Sequence, residues 1–463
     1  MLTSQQTITT ELRQILGEVG VVDAADLATR SAGWSRTDNL QAAALARPSS
    51  TEEVAAVVRW CAARGISLVP QGGLTGVVHG ADAGPQQVIL SLERMRRIEQ
   101  IDPMQRTATV QAGVTVQALQ EAAEVDDLMF PLDLGARGSA TLGGVASTNA
   151  GGNRVIRYGM TREMVLGLEV VLADGTIVDA MNRQIKNNAG YDLKHWFIGA
   201  EGTLGVITRL VMRLRERPAA TQVALVACDG FDAVANLLKH MDRSLGGSLA
   251  AFEVMWPDFY ALVTSQQSER PPLQPGHAYY VLVESQGVSR DLDAPRFLAA
   301  MESALDSGLV VDAAIAQSEA DGRAFWALRD SVELAFEGGR SIGFDIGLPI
   351  GEMERYIEGL RCALPQAIGG SHQLYVFGHL GDGNLHVIVK LSSANLAAVR
   401  ESIEQLVYGG LQAFRGSISA EHGIGLEKKA YLGISRNAQE LALMRALKTA
   451  LDPNNLLNPG KVI

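Results

Sequence analysis

Cysteine is scarce: only Cys61, Cys228 and Cys362 occur, far apart and without a Cys-x-x-Cys spacing. That pattern supplies neither a disulfide framework nor a thiolate zinc site, and it fits a reducing compartment. Cations are also short, with 40 Lys and Arg against 51 Asp and Glu, for a formal charge of −11. A surface of that average sign is a poor match for nucleic acid or an anionic membrane, while a local basic pocket for a small anion is still allowed. No run reaches the roughly eighteen uncharged apolar residues of a membrane span. The N-terminus lacks a basic n-region and an apolar h-region. Leu2, Ile8, Leu12, Ile15 and Leu16 fall instead on one side of an amphipathic helix. A cytoplasmic protein is expected. There is no internal repeat, no low-complexity tract, no Gly-Lys-Ser/Thr ending of a Walker A loop and no dinucleotide fingerprint in a βαβ unit.

What is present is length and glycine. A chain of 463 residues with 47% apolar content and 48 glycines reads as a loop-rich globular enzyme of two or three domains. To about residue 217, mixed elements alternate. A helix is predicted over 51–64, with Thr51 able to cap it, Glu52 and Glu53 suiting its N-terminal dipole and Gly65 ending it. Strands are predicted at 66–69, 88–92, 108–112 and 166–172, and a helix over 116–125. From Arg217-Pro218 onward, strands at 223–227, 278–284, 375–377 and 385–390 alternate with helices over 231–241, 294–307, 353–363 and 394–408. That order suggests helices on an antiparallel sheet. A last helix over 438–451 stops at Asp452-Pro453.

Three glycine-rich loops stand out: Pro70-Gln-Gly-Gly-Leu-Thr-Gly76 after a strand, the stretch 135–153, and 199–208 running into a strand. Glycines let backbone N–H groups converge on an anion because no Cβ holds it away. The 135–153 stretch adds Ser139, Thr141, Ser147, Thr148, Asn149 and Arg137, a lining suited to a pyrophosphate or a polar ring edge. Three such loops within 140 residues imply a large dinucleotide held by a fold other than Rossmann.

Histidines are few and clustered. Of eight, four (372, 379, 386 and 422) lie close together in sequence. Tyr375-Val-Phe-Gly-His-Leu-Gly-Asp-Gly-Asn-Leu-His386 reads as a hairpin turning at 381–384, with His379 ending one strand and His386 starting the return. With Ser419-Ala-Glu-His-Gly-Ile-Gly425, these segments hold the residue types of a divalent metal site and an adjacent proton acceptor. Two imidazoles and a carboxylate make a facial set that leaves open positions on Zn²⁺, Mn²⁺ or Fe²⁺. His372 is expected in a surface loop.

The loop at 70–76, the block Pro131-Leu-Asp-Leu-Gly-Ala-Arg-Gly-Ser-Ala-Thr-Leu-Gly-Gly144 and the stretch 186–205 resemble the FAD-binding domain of the vanillyl-alcohol oxidase superfamily. Gly-His-Leu-Gly-Asp-Gly-Asn-Leu-His, Ala-Glu-His-Gly-Ile-Gly and the terminal Asn-Pro-Gly-Lys resemble its D-2-hydroxyacid dehydrogenase branch, which includes D-2-hydroxyglutarate and D-lactate dehydrogenases. The resemblance covers about residues 40–463. It implies an α+β chain: a two-subdomain PCMH-type FAD-binding domain over 1–217, and an α+β cap with an antiparallel sheet and the metal hairpin over 218–417. A segment at 418–463 returns to complete the active site.

Carried onto this sequence, the resemblance assigns non-covalent FAD to Gln71, Gly72, Gly73, Leu74, Thr75 and Gly76; to Pro131, Leu134, Gly138, Ser139, Thr141, Gly143, Gly144, Ser147 and Asn149; and to Gly202, Thr203, Val206, Ile207 and Asn458. It makes His379, His386 and Glu421 metal ligands, Zn²⁺ first with Mn²⁺ or Fe²⁺ as alternatives. His422 becomes the substrate-contacting base and Arg329 the clamp on the substrate carboxylate. His79 is at the wrong offset for covalent flavin attachment and reads as a loop residue. The implied reaction oxidises a D-2-hydroxy acid to the 2-oxo acid, with hydride passing to FAD and the electrons then leaving to a flavoprotein, quinone or cytochrome acceptor; a homodimer is allowed.

Three positions depart from the family pattern. Ala200 stands where a serine is usual before Glu-Gly-Thr-Leu-Gly. Gly343 and Ile388 replace a lysine and an asparagine that the hydroxyglutarate group usually has, which points away from a dicarboxylate. The block at 131–139 nevertheless looks closer to the hydroxyglutarate group, so the acid's side chain is left open. An O₂-using flavin oxidase and a non-catalytic FAD-binding subunit are the competing readings; a zinc hydrolase would leave three cofactor loops without a purpose.

Overall fold

The structure, a computed structural model, describes residues 4–33, 36–265, 271–392 and 395–463. It divides into two compact units: Met1–Gly152, Gly159–Arg217 and Glu421–Ile463 form the first, and Asn153–Tyr158 with Pro218–Ala420 the second. The short Asn153–Tyr158 excursion lies within 1–217, the range read from sequence as one domain.

In the first unit, a four-stranded sheet runs in the order Val21–Asp23, Ala44–Ala46, Val88–Ser91, Leu68–Gln71. The first pair is antiparallel and the others parallel. Val22, Leu27, Leu45 and Ile89 form its core. An unpaired edge would leave the backbone of Leu68–Gln71 without partners. Residues from the chain's other end cover it: the Leu68 N–H donates to Leu456 at 2.8 Å, and the Asn458 N–H to Leu68 at 2.8 Å. The second sheet is antiparallel throughout, in the order Ile98–Asp102, Thr107–Gln111, Val206–Arg213, Val165–Val171, Ile177–Ala180. These two sheets are the cores of the two subdomains.

The Thr51–Arg64 helix buries Val54, Val57, Val58 and Cys61, a stripe at helical spacing. Its cap is Ser50, in extended backbone, whose hydroxyl accepts the Glu53 N–H at 3.3 Å. Thr51, the cap read from sequence, is already helical, and its hydroxyl donates to Glu169 at 2.6 Å. Such a cap is worth about 1 kcal/mol.

The second unit is built on a seven-stranded antiparallel sheet ordered Asp312–Ile315, Ala220–Cys228, Tyr279–Gly287, Leu249–Met255, His372–His379, Asn384–Leu391, Ser341–Gly347. The Pro257–Ser265 and Glu319–Asp330 helices contribute Phe259, Tyr260, Phe325 and Leu328 to a core with Tyr375, Phe377 and Ile388. Phe259 stacks on Phe377 with centroids 4.1 Å apart. The 153–158 excursion is held here by Arg154, whose Nε lies 2.6 Å from the buried Glu284, and by Tyr158, which donates to Gln286 at 2.8 Å.

Two sequence readings shift. His372 is not in a loop but is the first residue of the His372–His379 strand, opposite Leu391, because the ladder continues through Gln373 and Lys390. The helix expected from 394 spans Leu396–Leu411; Ala394, like Leu2, lies outside the described residues. No helix among the described residues is long and apolar enough to cross a membrane.

Candidate functional site

In the first unit, the three glycine-rich loops converge on one cleft of about 340 Å³. Gln71, Gly72, Gly73, Leu74, Thr75, Gly76, Leu134, Thr141, Gly143, Gly144, Ser147, Gly202, Val206 and Ile207 line it, and so do Glu421 and His422. Pro131, Gly138, Ser139, Asn149, Thr203 and Asn458 are not among its lining residues. The Thr203 hydroxyl donates to Ala200 at 2.7 Å and the Asn149 side chain accepts the Arg162 N–H at 2.9 Å. Asn458 ties the C-terminal segment to both neighbouring loops, donating from Nδ2 to Gly80 at 2.9 Å and to Glu201 at 2.8 Å.

The cleft fits an anionic dinucleotide on one observation. Among the described residues, the N–H groups of Gly73, Leu74, Thr75 and Gly76, which line it, have no protein acceptor. The cleft therefore offers backbone donors for phosphate.

The sequence reading overlooked several residues on these walls. Asp82 accepts from Arg36 at 2.6 Å and sits 3.0 Å from His79 Nδ1. Burial works against that carboxylate, but the Arg36 and His79 hydrogen bonds hold Asp82 below its usual range. His79 is thus a fastened loop residue, with its backbone at φ 61°. Lys461 donates to the Asp82 carbonyl at 2.6 Å, and burial pushes its amine down to about 8.

Glu201 is the most consequential of these residues. One carboxylate oxygen accepts the Ile424 N–H at 2.7 Å and the other the Gly425 N–H at 2.9 Å. Burial raises its carboxyl above the ordinary range, and those two N–H groups pull the other way. The pair pins the backbone immediately after His422. Glu201→Gln replaces one acceptor with a donor facing an N–H, so a charge-assisted bond of roughly 1.5–3 kcal/mol is lost. Flavin reduction is expected to slow about tenfold with FAD content retained. A stopped-flow rate equal to wild type would remove Glu201 from the site.

In the second unit, the hairpin forms as predicted from Gly-Asp-Gly. His379 ends one strand, a short 3₁₀ turn covers Leu380–Asp382, Gly383 takes φ 86° and the return strand starts at Asn384. The His379 and His386 rings lie 5.4 Å apart, nearly perpendicular. His379 is buried, and its Nδ1 is 2.8 Å from Glu253 Oε1. Arg329 is buried too. Its Nε donates to Glu253 Oε2 at 2.8 Å, and its guanidinium carbon is 5.1 Å from the centre of the Phe377 ring. Burial alone would raise Glu253, but its His379 and Arg329 partners outweigh that and hold its carboxyl low.

Below the hairpin, buried Asp345 stands opposite His386 and accepts from Asn384 at 2.8 Å. Its other oxygen accepts the Ala420 N–H at 3.2 Å. Glu421 is the next residue in the chain, so this bond fixes where that carboxylate's backbone begins. Gly343 and Ile388 are direct cross-strand partners. A Cβ on Gly343 would meet the Phe336 ring at 2.8 Å, and Ile388 belongs to the buried core.

Comparisons with known proteins agree with one another. The family model described as FAD linked oxidases, C-terminal domain, matches residues 217–462, and the FAD binding domain model matches 42–181. The chain is 39% identical to a D-2-hydroxyglutarate dehydrogenase of Xanthomonas citri pv. viticola, over 95% of this chain and 93% of that one. It is 39% identical to the mitochondrial D-2-hydroxyglutarate dehydrogenase of Bos taurus, over 97% and 82%. A putative mitochondrial D-lactate dehydrogenase of Schizosaccharomyces pombe is 34% identical over 95% and 85%. Among solved structures, p-cresol methylhydroxylase with substrate bound has a TM-score of 0.76 at 18% identity, covering 100% of this chain and 97% of that one.

Proposed function

This chain belongs to the FAD-dependent D-2-hydroxyacid dehydrogenases of the vanillyl-alcohol oxidase superfamily, and on that premise we propose that it oxidises a D-2-hydroxy acid to the 2-oxo acid. The observation that carries this reading is that Glu421 and His422 line the same cleft as the three glycine-rich loops. FAD bound non-covalently in that cleft supplies the acceptor for the C2 hydride. His379, His386 and Glu421, the ligands that the resemblance assigns, are the set that would hold a divalent ion, Zn²⁺ first, to acidify the substrate hydroxyl.

The chain's own groups then have distinct tasks. His422 accepts the 2-hydroxyl proton, imidazole being an effective base near neutral pH. Glu201 holds the backbone beside it. Arg329, oriented by Glu253, offers a guanidinium for the substrate carboxylate. The Gly343–Ile388 pair, closed over by Phe336, presents neither a cation nor an amide. A burial site without them penalises a second carboxylate, which supports a substrate with a short or apolar side chain. The electrons leave to a protein or quinone acceptor rather than to O₂.

Anaerobic addition of a panel of D- and L-2-hydroxy acids to the purified flavoprotein tests this. Absorbance near about 450 nm is expected to bleach with D-lactate and D-2-hydroxybutyrate and to respond least to D-2-hydroxyglutarate. Failure of every D-acid to bleach overturns the activity. Fastest bleaching by D-2-hydroxyglutarate overturns only the side-chain preference. Stoichiometric peroxide in air without another acceptor would make the protein an oxidase.

A further inference from the structure

The Leu249–Met255 strand is apolar except at Glu253, which is 1% exposed. Register places it directly opposite His379. Its two oxygens are divided: Oε1 is 2.8 Å from His379 Nδ1, and Oε2 accepts the Arg329 Nε–H at 2.8 Å. Arginine stays protonated in proteins, so the carboxylate facing it is an acceptor only. The His379 proton therefore sits on Nδ1, and the lone pair is on Nε2. Without such a partner an imidazole takes either tautomer, and only one of them presents Nε2 to a ligand.

Arg329 adds an electrostatic condition. Its Nη2 donates to the His379 Nε2 lone pair at 3.1 Å and lies 3.4 Å from Nδ1, so an ion at Nε2 has to displace that bond. A guanidinium that close opposes a dication at the same imidazole. The Glu253 charge, shared between the two side chains, offsets it.

We propose that Glu253 is a positioning residue that fixes the metal-binding tautomer of His379 and neutralises Arg329 beside it. The inference rests on the metal reading of His379, His386 and Glu421. A glutamine at this position has one acceptor oxygen for two donors, so either the Arg329 bond is lost or His379 moves its proton to Nε2. Carboxylates behind metal-bound imidazoles typically change metal affinity by about 10–100-fold.

The test uses full-length FAD-loaded protein stripped of metal, with Zn²⁺ titrated against a chromophoric chelator and thermal unfolding measured in parallel. Glu253→Gln is expected to weaken Zn²⁺ at least about tenfold, whereas Arg329→Gln, which removes the opposing cation, binds as tightly as wild type or more so. If Glu253→Gln misfolds through its orphaned guanidinium, the Glu253→Gln/Arg329→Gln double variant removes that charge and still binds Zn²⁺ weakly. Wild-type affinity in whichever of these two Glu253 variants folds, or equal weakening in Arg329→Gln and Glu253→Gln, overturns the proposal. Absence of Zn²⁺ binding by the wild-type protein overturns the metal reading itself and this inference with it.

Discussion

His422→Ala is expected to purify with its FAD and to lose substrate-driven flavin reduction by about 10²-fold or more. The two halves of that expectation have separate causes. The loops at 70–76, 134–147 and 202–207, to which FAD is assigned, each contribute lining residues to the cleft, and none is built on the imidazole. The segment that carries His422 is fixed through Glu201 to Ile424 and Gly425, bonds to backbone that an alanine two residues earlier leaves in place. Removing the side chain thus deletes a proton acceptor and little else. Anaerobic stopped-flow reduction at saturating D-2-hydroxy acid isolates the chemical step from reoxidation. Near-normal reduction with intact FAD would take the base role away from His422.

How much of this could be read from sequence depends on how local each feature is. The hairpin was legible because Gly-Asp-Gly between apolar runs dictates a tight turn within a few residues. The three loops were legible for the same reason, since a backbone approach needs glycine where it occurs. Contacts formed across the chain were not. Glu201 meets the His422 segment 223 residues later, and Glu253 meets His379 126 residues later. Asp345 fastens Ala420 across 75 residues. Glu253 did leave one trace, a lone carboxylate in Leu-Ala-Ala-Phe-Glu-Val-Met, a strand otherwise fully apolar and buried. A buried charge is costly unless paired, so an acid in such a strand announces a partner without naming it. The Arg154–Glu284 ion pair within the second unit spans 130 residues and is another contact that no pattern within 135–153 could reveal.

Gly73→Ala should cost the protein most of its FAD. A Cβ there would run into the backbone carbonyl of Ser139 and come within 2.7 Å of the Ser139 carbonyl carbon and 3.2 Å of Ala140 Cα. These are main-chain atoms of the second glycine-rich loop, so no side-chain rotamer relieves the contact. One loop must move away from the other. Overpacking of this kind costs about 1–3 kcal/mol, and if the displaced loop is the phosphate cradle the upper end corresponds to roughly 10²-fold weaker cofactor binding. Gly76→Ala separates packing from cofactor contact. A Cβ at that position meets no protein atom within 4 Å, so the apoprotein should keep its thermal midpoint. FAD should still bind less tightly, because the methyl group stands in the cleft beside N–H groups assigned to phosphate. Fluorescence titration of FAD into each apoprotein, with thermal unfolding alongside, reads both quantities. Gly73→Ala is expected to lose affinity and several degrees of midpoint, and Gly76→Ala affinity alone. Wild-type FAD affinity in both variants would mean that the Pro70-to-Gly76 loop does not hold the pyrophosphate.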